Sequence, residues 1–366
     1  MKQTNWAYWI AGQAGVIPLA LGMPGVAKTE STRALAKAAQ RRFLPVMLDQ
    51  ILPEDLGGYP VVKELTHNGK QVEVMRRVFD EKFVRARLEP SVMLIDELTN
   101  AGHSTQAAAL QVMAEGIEGC WIFAAANPPE QAAAGVELTP PMVNRLCILQ
   151  WEIDREAIRH GWCNGLQFQP PEVPLLPDNW RDHTATWGPI VSAFIDRFPT
   201  LLDAYPKDPR KASQPFPSPR SWTNVIKLLS AAESVNADES VKGLLVHGCV
   251  GMSAAVQFTT WISQQGLPDP EAILSCPFNL QMPHRGDLGV AVLSAVIGRV
   301  AAECTPERWE NAREVLGNAF SQGAEEIAIA AHGRLWKLKP ANYSPKPRNG
   351  VYSRMNQIIM GAMANA

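Results

Sequence analysis

The sequence predicts an α/β fold in which a parallel sheet is flanked by helices and followed by a mainly helical region. Three apolar runs, at residues 16–21, 91–95 and 120–126, each end in glycine or polar residues. Such continuous runs are typical of strands buried on both faces of a parallel sheet. Helix-prone segments separate the runs, and helical spacing prevails from about residue 220 onward. With 46% hydrophobic and 19% charged residues, the chain of 366 residues is able to form a substantial core.

Composition excludes several classes of protein. The net charge of −2 provides no overall attraction to nucleic acid or anionic lipid. The six cysteines are spread singly, without the spacing of a metal site, which favours a reducing, cytoplasmic location. No apolar run approaches the roughly 18 residues that a membrane span requires. Residues 6–21 faintly resemble a secretion signal, but cleavage there would end at the glycine loop described next, so we expect no secretion.

The first apolar run leads directly into a glycine loop. Residues 22–29 read Gly-Met-Pro-Gly-Val-Ala-Lys-Thr, and the segment from Ser31 to Gln40 has high helix propensity. A strand, glycine loop and helix in this order can bind phosphate, because backbone N–H groups surround the β-phosphate, Lys28 reaches the β/γ-oxygens and Thr29 holds Mg²⁺. The alternative is an ordinary strand-to-helix turn. The predicted nucleotide-binding residues are Gly22, Met23, Pro24, Gly25, Val26, Ala27, Lys28 and Thr29.

Ala27 occupies a position that is usually glycine in such loops. Its methyl group is tolerable if the residue has a helical φ and the side chain points away from phosphate. We therefore expect a helical φ at Ala27.

The second run, Ser91 to Ile95, ends in Asp96 and Glu97, 68 residues after Lys28. Ligands collect at the carboxyl edge of a parallel sheet, so Asp96 is expected to reach the Mg²⁺ shell and Glu97 to polarise the attacking water. Two adjacent acids could by themselves merely begin a solvated loop. Together with the glycine loop they predict a P-loop nucleoside triphosphatase.

The third run, Cys120 to Ala126, ends in Asn127, which could hold the attacking water or the γ-phosphate. The alternative is that Asn127-Pro128 simply initiates a turn. The segment from Ser104 to Glu115 is predicted to be the helix that connects these two parallel strands, and Gly116 is expected to stop it.

These three strand ends resemble those of the AAA+ ATPases, and the details resemble the MoxR branch. The resemblance rests on residues 22–29, 54–62, 94–97, 125–128 and 138–146, and covers about residues 15–150. It implies that Lys28 and Thr29 form Walker A, that Asp96 and Glu97 form Walker B, and that Asn127 is sensor 1. MoxR proteins usually carry a hairpin before the sensor-1 strand, where this chain has only residues 116–119.

The resemblance also identifies two arginines as candidate catalytic residues. Arg145 stands where the family places an arginine finger, which a neighbouring subunit donates, and so implies a ring. The alternative is a surface or ion-paired arginine. Arg220 stands at the sensor-2 position, where Ser218 and Pro219 resemble an N-cap and a first helical residue. A cation in a first helical turn is unfavourable unless an anion is near, and either nucleotide phosphate or an acidic neighbour would serve.

A β-hairpin is predicted between the first helix and the Asp96 strand. Residues 61–65 and 70–75 are β-prone, and Asn68-Gly69 between them is a strong two-residue turn signal. By resemblance this hairpin is the helix-2 insertion, which projects toward the central channel and can contact a client. The alternative is an exposed excursion with no client. His67 lacks partners at metal-ligand spacing and predicts no metal site.

We expect four segments. Residues 1–160 form the AAA+ nucleotide-binding domain, 161–219 a Pro-rich linking region, 220–305 the helical lid, and 306–366 a helical extension with a basic tail. Within these, we expect helices from Ser221 to Ser234 and from Leu288 to Ala302, and one long helix from Trp309 to Trp336. The tail, from Gly333 onward, carries six basic residues, no acid and three aromatic residues, so it either docks on a partner or binds nucleic acid.

The resemblance implies Mg²⁺-dependent ATP hydrolysis by a ring, in this branch a hexamer, that remodels or matures a protein client. It further implies a partner with a von Willebrand A domain. One alternative is a motor or loader stimulated by nucleic acid. Another is a scaffold that binds ATP without cleaving it, but Glu97 argues against this because a scaffold has no need of a water-polarising acid.

Overall fold

The computed structural model describes residues 2–67, 70–131, 135–152, 154–165, 174–208, 211–265, 269–283, 286–341, 343–346 and 350–355. They form two compact units. The first unit contains Met1–Leu176, Ala204–Leu228 and Val235–Met252, and the second contains Pro177–Asp203, Leu229–Ser234 and Ser253–Ala366. The four-segment division expected from the sequence stays a prediction.

The strands are β1 (Ile17–Leu21), β2 (Arg42–Met47), β3 (Tyr59–His67), β4 (Lys70–Val78), β5 (Ser91–Asp96), β6 (Cys120–Ala126) and β7 (Leu146–Gln150). The helices are α1 (Lys2–Gln13), α2 (Lys28–Ala38), α3 (Pro53–Gly57), α4 (Glu81–Leu88), α5 (His103–Glu115), α6 (Pro140–Val143), α7 (Arg155–Cys163), α8 (Thr184–Arg197), α9 (Pro219–Ser234), α10 (Glu239–Val250), α11 (Met252–Gln265), α12 (Pro270–Ser275), α13 (Gly286–Ala302), α14 (Pro306–Ser321) and α15 (Glu325–Lys337). Within the described ranges, no helix is long and apolar enough to span a membrane.

A five-stranded parallel sheet lies at the centre of the first unit, in the order β2-β5-β6-β1-β7. The three apolar runs correspond to β1, β5 and β6, which confirms the predicted parallel sheet. These three strands are adjacent and lie inside the sheet, and all six residues of β5 are buried. The two edge strands were not predicted. One of them, β2, contains Pro45, which an edge strand tolerates because one side needs no hydrogen-bond donor.

The helix α1 is a feature of the first unit that sequence reasoning missed. It packs on β1, β6 and β7, and on α10. Tyr8 and Trp9 are fully buried, and Trp9 stacks on Phe123 of β6 with 5.4 Å between ring centroids. This apolar segment is therefore part of the core.

The predicted connecting helix is confirmed as α5. It begins at His103 and ends at Glu115, and Gly116 follows it with a φ of 68°. A positive φ at this position is typical of a glycine that terminates a helix. Only residues 116–119 connect α5 to β6, as expected.

The predicted hairpin is confirmed as β3 and β4, which form a separate antiparallel sheet. The register pairs Tyr59 with Val78 at one end and His67 with Lys70 at the other. The strands are longer than the predicted 61–65 and 70–75. The turn residues Asn68 and Gly69 lie outside the described residues.

One helix prediction for the second unit is wrong. The segment from Trp309 to Trp336 is two helices, α14 and α15, separated at residues 322–324. Gly323 has a φ of 89°, which ends the helix. Both helices pack on the same apolar core with α13, so the hydrophobic spacing continues across the turn. The helix α8 was also missed, because its region is rich in proline and Pro189 lies inside it.

The described part of the basic tail packs on the second unit. The Tyr343 hydroxyl and the Lys346 backbone N–H donate to Glu310 Oε1 over 3.2 and 3.0 Å. Glu310 is buried and accepts from Arg313 Nη1 over 2.9 Å. Met355 is fully buried. The rings of Trp336, Tyr343 and Tyr352, which could have stacked on nucleic acid, contact Trp309 or Arg313 instead. Arg348 lies outside the described residues.

Candidate active site

The carboxyl ends of β5, β6 and β1 are neighbours at one edge of the parallel sheet. Asp96 ends β5 and Glu97 follows it, Asn127 follows β6, and the glycine loop follows β1. Since β6 lies between the other two strands, Asn127 stands between the acids and the loop. The topology thus brings together predicted site residues that are up to about 100 positions apart in sequence.

Lys28, the first residue of α2, is buried in this site with 8% of its surface exposed. Its Nζ donates to Gly22 O over 2.6 Å, to Met23 O over 2.9 Å and to Asn127 Oδ1 over 2.9 Å. These contacts occupy all three donors of the ammonium group. Burial lowers the pKa of Lys28, and the charges of Asp96 and Glu97 counteract this. A phosphate oxygen that binds Nζ would replace one of the three acceptors.

Thr29 and Asp96 form the candidate Mg²⁺ site. Thr29 Oγ1 donates to Asp96 Oδ2 over 2.6 Å, and the Glu97 backbone N–H donates to Asp96 Oδ1 over 2.9 Å. In the described part of the chain, no group of three His, Cys, Asp or Glu side chains could enclose a metal. One hydroxyl and one carboxylate fit Mg²⁺, which is usually held by one or two protein oxygens together with substrate phosphates and water.

Glu97 connects the two halves of the site. Asn100 Nδ2 and Asn127 Nδ2 donate to its Oε2 over 2.5 and 3.1 Å. Burial raises the pKa of Glu97, and the negative charges of Asp96 and Asp49 raise it further. Its φ of 59° is uncommon for a residue other than glycine, and such strain clusters at functional sites.

Two residues of this site were missed by sequence reasoning. Asn100 lies three positions after Glu97 in a tight turn, where the Asn100 N–H donates to Glu97 O over 3.0 Å. No spacing rule indicated that the Asn100 side chain turns back to the carboxylate. Asp49 could have been found, because it lies two residues after the end of β2, which pairs with the Asp96 end of β5 at the same edge of the sheet.

The glycine loop contributes backbone geometry. A Cβ added at Gly22 would lie 2.3 Å from Trp151 O, so only glycine fits there. Gly25 has a φ of 77°, and a Cβ at Gly25 would meet no atom within 4 Å. Met23 and Pro24 are exposed, whereas Val26 is buried and its carbonyl accepts from Trp151 Nε1 over 3.2 Å. Left-handed residues within such a loop help to turn successive N–H groups toward an anion.

The expectation for Ala27 is wrong. Its φ of 62° and ψ of 29° lie in the left-handed region, and the residue is exposed. For an L-residue with a Cβ this conformation costs about 1–2 kcal/mol. The loop that precedes α2 therefore imposes a glycine-like backbone on an alanine.

Ala27→Gly is therefore expected to raise the free energy of unfolding by about 0.5–1 kcal/mol, because relief of the left-handed strain exceeds the entropy that glycine adds to the unfolded chain. Ala34→Gly, in the middle of α2, is the matched control and should lower this free energy by a similar amount. Urea unfolding of the three proteins measures both changes. If Ala27→Gly lost as much stability as Ala34→Gly, the strain at Ala27 would be disproved.

The two candidate arginines lie on segments of the first unit that contact each other. Arg145 is partly buried, and its Nη1 donates to Pro141 O over 2.8 Å. Arg220 is exposed in the first turn of α9, where Ser218 Oγ accepts from the Ser221 N–H over 3.1 Å as the expected N-cap. Ser218 Oγ also donates to Asn144 Oδ1 over 2.5 Å, which holds the two segments together. Burial lowers the pKa of Arg145, and the nearby positive charge of Arg220 lowers it further.

A cavity of about 170 Å³ lies elsewhere in the first unit. Its lining includes Phe79, Phe83, Arg87 and Glu115, and none of the residues discussed for the triphosphate site. The predicted chemistry thus does not take place in this cavity.

Comparison with known proteins supports the same interpretation. Residues 19–120 match the sequence model of a family described as AAA domain (dynein-related subfamily). This range includes the glycine loop, the hairpin and the two acids, but not Asn127, Arg145 or Arg220. No curated protein matches the chain. The matched residues include β2 and β5 of the parallel sheet, and this sheet with its helical C-terminal region is consistent with the AAA+ P-loop fold.

Proposed function

We propose that this protein is a cytoplasmic, MoxR-like AAA+ ATPase that hydrolyses ATP with Mg²⁺, assembles into a hexameric ring and remodels a protein client. A partner with a von Willebrand A domain fits this branch of the family. The observation that carries the proposal is the connected network of Lys28, Asn127 and Glu97 beside the Thr29–Asp96 pair. Such a network places a cation, a metal-binding pair and a potential base around one sheet edge.

Each residue of the network has a chemical task. Lys28 provides positive charge for the β- and γ-phosphates, and Thr29 and Asp96 would hold Mg²⁺, which neutralises phosphate charge when bound. Both amide donors bind the same oxygen of Glu97, Oε2. This arrangement fixes the carboxylate and leaves Oε1 as the oxygen that would accept from the attacking water. Asn127 contacts both Lys28 and Glu97. It can therefore hold the phosphate-binding lysine and the water-binding carboxylate at a fixed separation.

Two arginines on neighbouring segments support the ring. The Ser218–Asn144 hydrogen bond joins the segment of Arg145 to that of Arg220, and among the described residues no carboxylate forms an ion pair with either arginine. Two neighbouring cations repel each other unless an anion lies between or near them. We assign this anion to the triphosphate bound by the adjacent subunit, to which Arg145 would be donated as a finger.

Mixing of two inactive variants tests whether Arg145 acts in trans. Rings of Arg145→Ala subunits and rings of Glu97→Gln subunits should each be nearly inactive. In mixed rings, an interface that combines the intact Glu97 of one subunit with the intact Arg145 of the next should regain ATPase activity, up to about a quarter of the wild-type rate by random assembly. Phosphate release is measured as a function of the mixing ratio.

A mixture of Lys28→Ala and Glu97→Gln subunits is the matched control. Both changes damage the same half of the site, so no mixed interface becomes complete and the mixture should stay inactive. If mixed rings of Arg145→Ala and Glu97→Gln formed but stayed inactive as well, Arg145 would have a structural role.

Capture of partners tests the remodelling role. The Glu97→Gln protein, held in the ATP-bound state, is purified from the native cell, and the companion proteins are identified by mass spectrometry. We expect a protein with a von Willebrand A domain, and we expect the purified companion to change the ATPase rate. Stimulation by DNA or RNA instead would favour the motor or loader.

A further inference from the structure

The hairpin of β3 and β4 presents two chemically different faces. The two strands form a sheet of their own, and side chains alternate between its faces. Among the described hairpin residues, large apolar side chains are strongly exposed, including Val62 at 64% and Met75 at 73%. A two-stranded hairpin is marginally stable alone, and exposed apolar clusters of this kind mark interaction sites.

The first hairpin face is apolar and basic. The register places two cations at diagonal positions on this face. Arg76 is opposite Val61, and Lys63 is opposite Val74 on the next rung of the same face. The side chains of Lys63 and Arg76 are exposed. The members of the first hairpin face whose side chains the structure describes are Tyr59, Val61, Lys63, Leu65, Val72, Val74, Arg76 and Val78.

The second hairpin face is partly apolar and acidic. Glu64 lies directly opposite Glu73, and on the next rung Val62 lies opposite Met75. The one cation of this face, Arg77, donates from Nη1 to Gly57 O over 2.9 Å at the root of the hairpin. The members of the second hairpin face are Pro60, Val62, Glu64, Thr66, Gln71, Glu73, Met75 and Arg77.

Like charges directly opposite each other in a hairpin destabilise it, and long side chains at diagonal positions lie within reach of each other. The first face carries such a pair of cations, and the second carries such a pair of carboxylates at nearly the same height. Each repulsion would be relieved if the first face of one hairpin lay against the second face of another. The apolar side chains around both charged pairs would be buried by the same contact.

We propose that the first hairpin face of one copy docks on the second hairpin face of the next copy. The contact joins two different surfaces of the same chain, and a head-to-tail contact of this kind closes into a ring when its rotation permits. The inference rests on the ring assembly in the proposed function and adds the surface that selects the neighbour. In this arrangement the hairpins contact each other, and a client strand is not their principal ligand.

Charge reversal tests this docking. Lys63→Glu with Arg76→Glu makes both faces acidic, and Glu64→Lys with Glu73→Lys makes both faces basic. Each double variant alone should self-assemble at least about tenfold more weakly than wild type, because like charges then meet across the contact. An equimolar mixture of the two should assemble again, since every acidic face can meet a basic one. Sedimentation velocity with Mg²⁺ and a non-hydrolysable ATP analogue measures assembly.

Glu307→Lys with Glu326→Lys is the matched control. It changes the net charge by the same amount as the Glu64→Lys, Glu73→Lys variant, but at exposed positions outside the hairpin, in α14 and α15. It should assemble as wild type does. Binding of the ATP analogue should be unchanged in every variant, which shows that the first unit is folded.

Several outcomes would overturn the docking. They are normal assembly of either reversal alone, a mixture no better than its components, and a wild-type protein that stays monomeric with nucleotide. Normal assembly of the reversals together with loss of client binding would assign the hairpin to the client. Failure of the wild type to bind the ATP analogue would instead contradict the proposed ATPase. The binding assay detects this failure separately from the assembly assay.

Discussion

Lys28→Ala is expected to weaken ATP binding by at least about 100-fold. The variant removes a buried cation, and charge-assisted hydrogen bonds of this kind contribute about 1.5–3 kcal/mol each. It also leaves Gly22 O, Met23 O and Asn127 Oδ1 without the donor that they share. The loss therefore combines weaker attraction for phosphate with a loop that is no longer held by Nζ. Titration with a fluorescent ATP analogue measures the dissociation constant.

The matched control for this prediction is Lys37→Ala. Lys37 lies in the last turn of the same helix, α2, and is exposed, so its replacement changes the charge equally but should leave ATP affinity within about twofold. Circular dichroism and urea unfolding verify that both variants fold. Wild-type affinity in a folded Lys28→Ala protein would refute the phosphate-binding role of the glycine loop.

Glu97→Gln is expected to retain ATP binding while ATP turnover falls by about 10²–10⁴-fold. Glutamine has nearly the same shape as glutamate, so the loop and Lys28 remain in place. Its amide oxygen can accept the hydrogen bonds that Asn100 and Asn127 donate to Oε2, but the amide nitrogen then faces the attacking water and cannot take its proton. The chemical step is lost and substrate binding is preserved.

Single-turnover hydrolysis and the pH profile measure this effect. The raised pKa of Glu97 means that the wild-type rate should fall as the pH is lowered through a value above the ordinary glutamate range, because a protonated carboxyl group is no longer a base. The Gln variant should lack this acidic limb. Glu118→Gln, in the exposed connection before β6, is the control and should match wild type. Wild-type turnover by the Glu97→Gln protein would show that Glu97 is not the base that activates the attacking water.

The inner strands of the sheet were easier to predict from the sequence than the edge strands or the helices that pack on the sheet. β1, β5 and β6 are continuous apolar runs because they are buried on both faces, and that burial leaves a local pattern. The edge strand β2 alternates buried and exposed positions and contains a proline, so its pattern is weak. α1 was missed because residues that pack around Tyr8 and Trp9 look like any short apolar segment until the sheet beneath them is known.

The split between α14 and α15 shows the limit of periodicity. Both helices contact α13 and bury residues in one core, so apolar positions recur at helical spacing on either side of the turn. Only the positive φ of Gly323 reveals the break, and glycine is also found inside helices. Local composition therefore indicated helix correctly but did not indicate how many helices there are.

By itself the sequence determined the chemical inventory of the site: a glycine loop with Lys28 and Thr29, and polar residues at the ends of two further strands. Tertiary structure decided the rest, because strand order is set by contacts between residues far apart in the chain. It placed Asn127 between Lys28 and Glu97, turned Asn100 onto the carboxylate, and brought the segment of Arg145 into contact with that of Arg220. It also imposed a left-handed backbone on Ala27, which no local preference of alanine would predict.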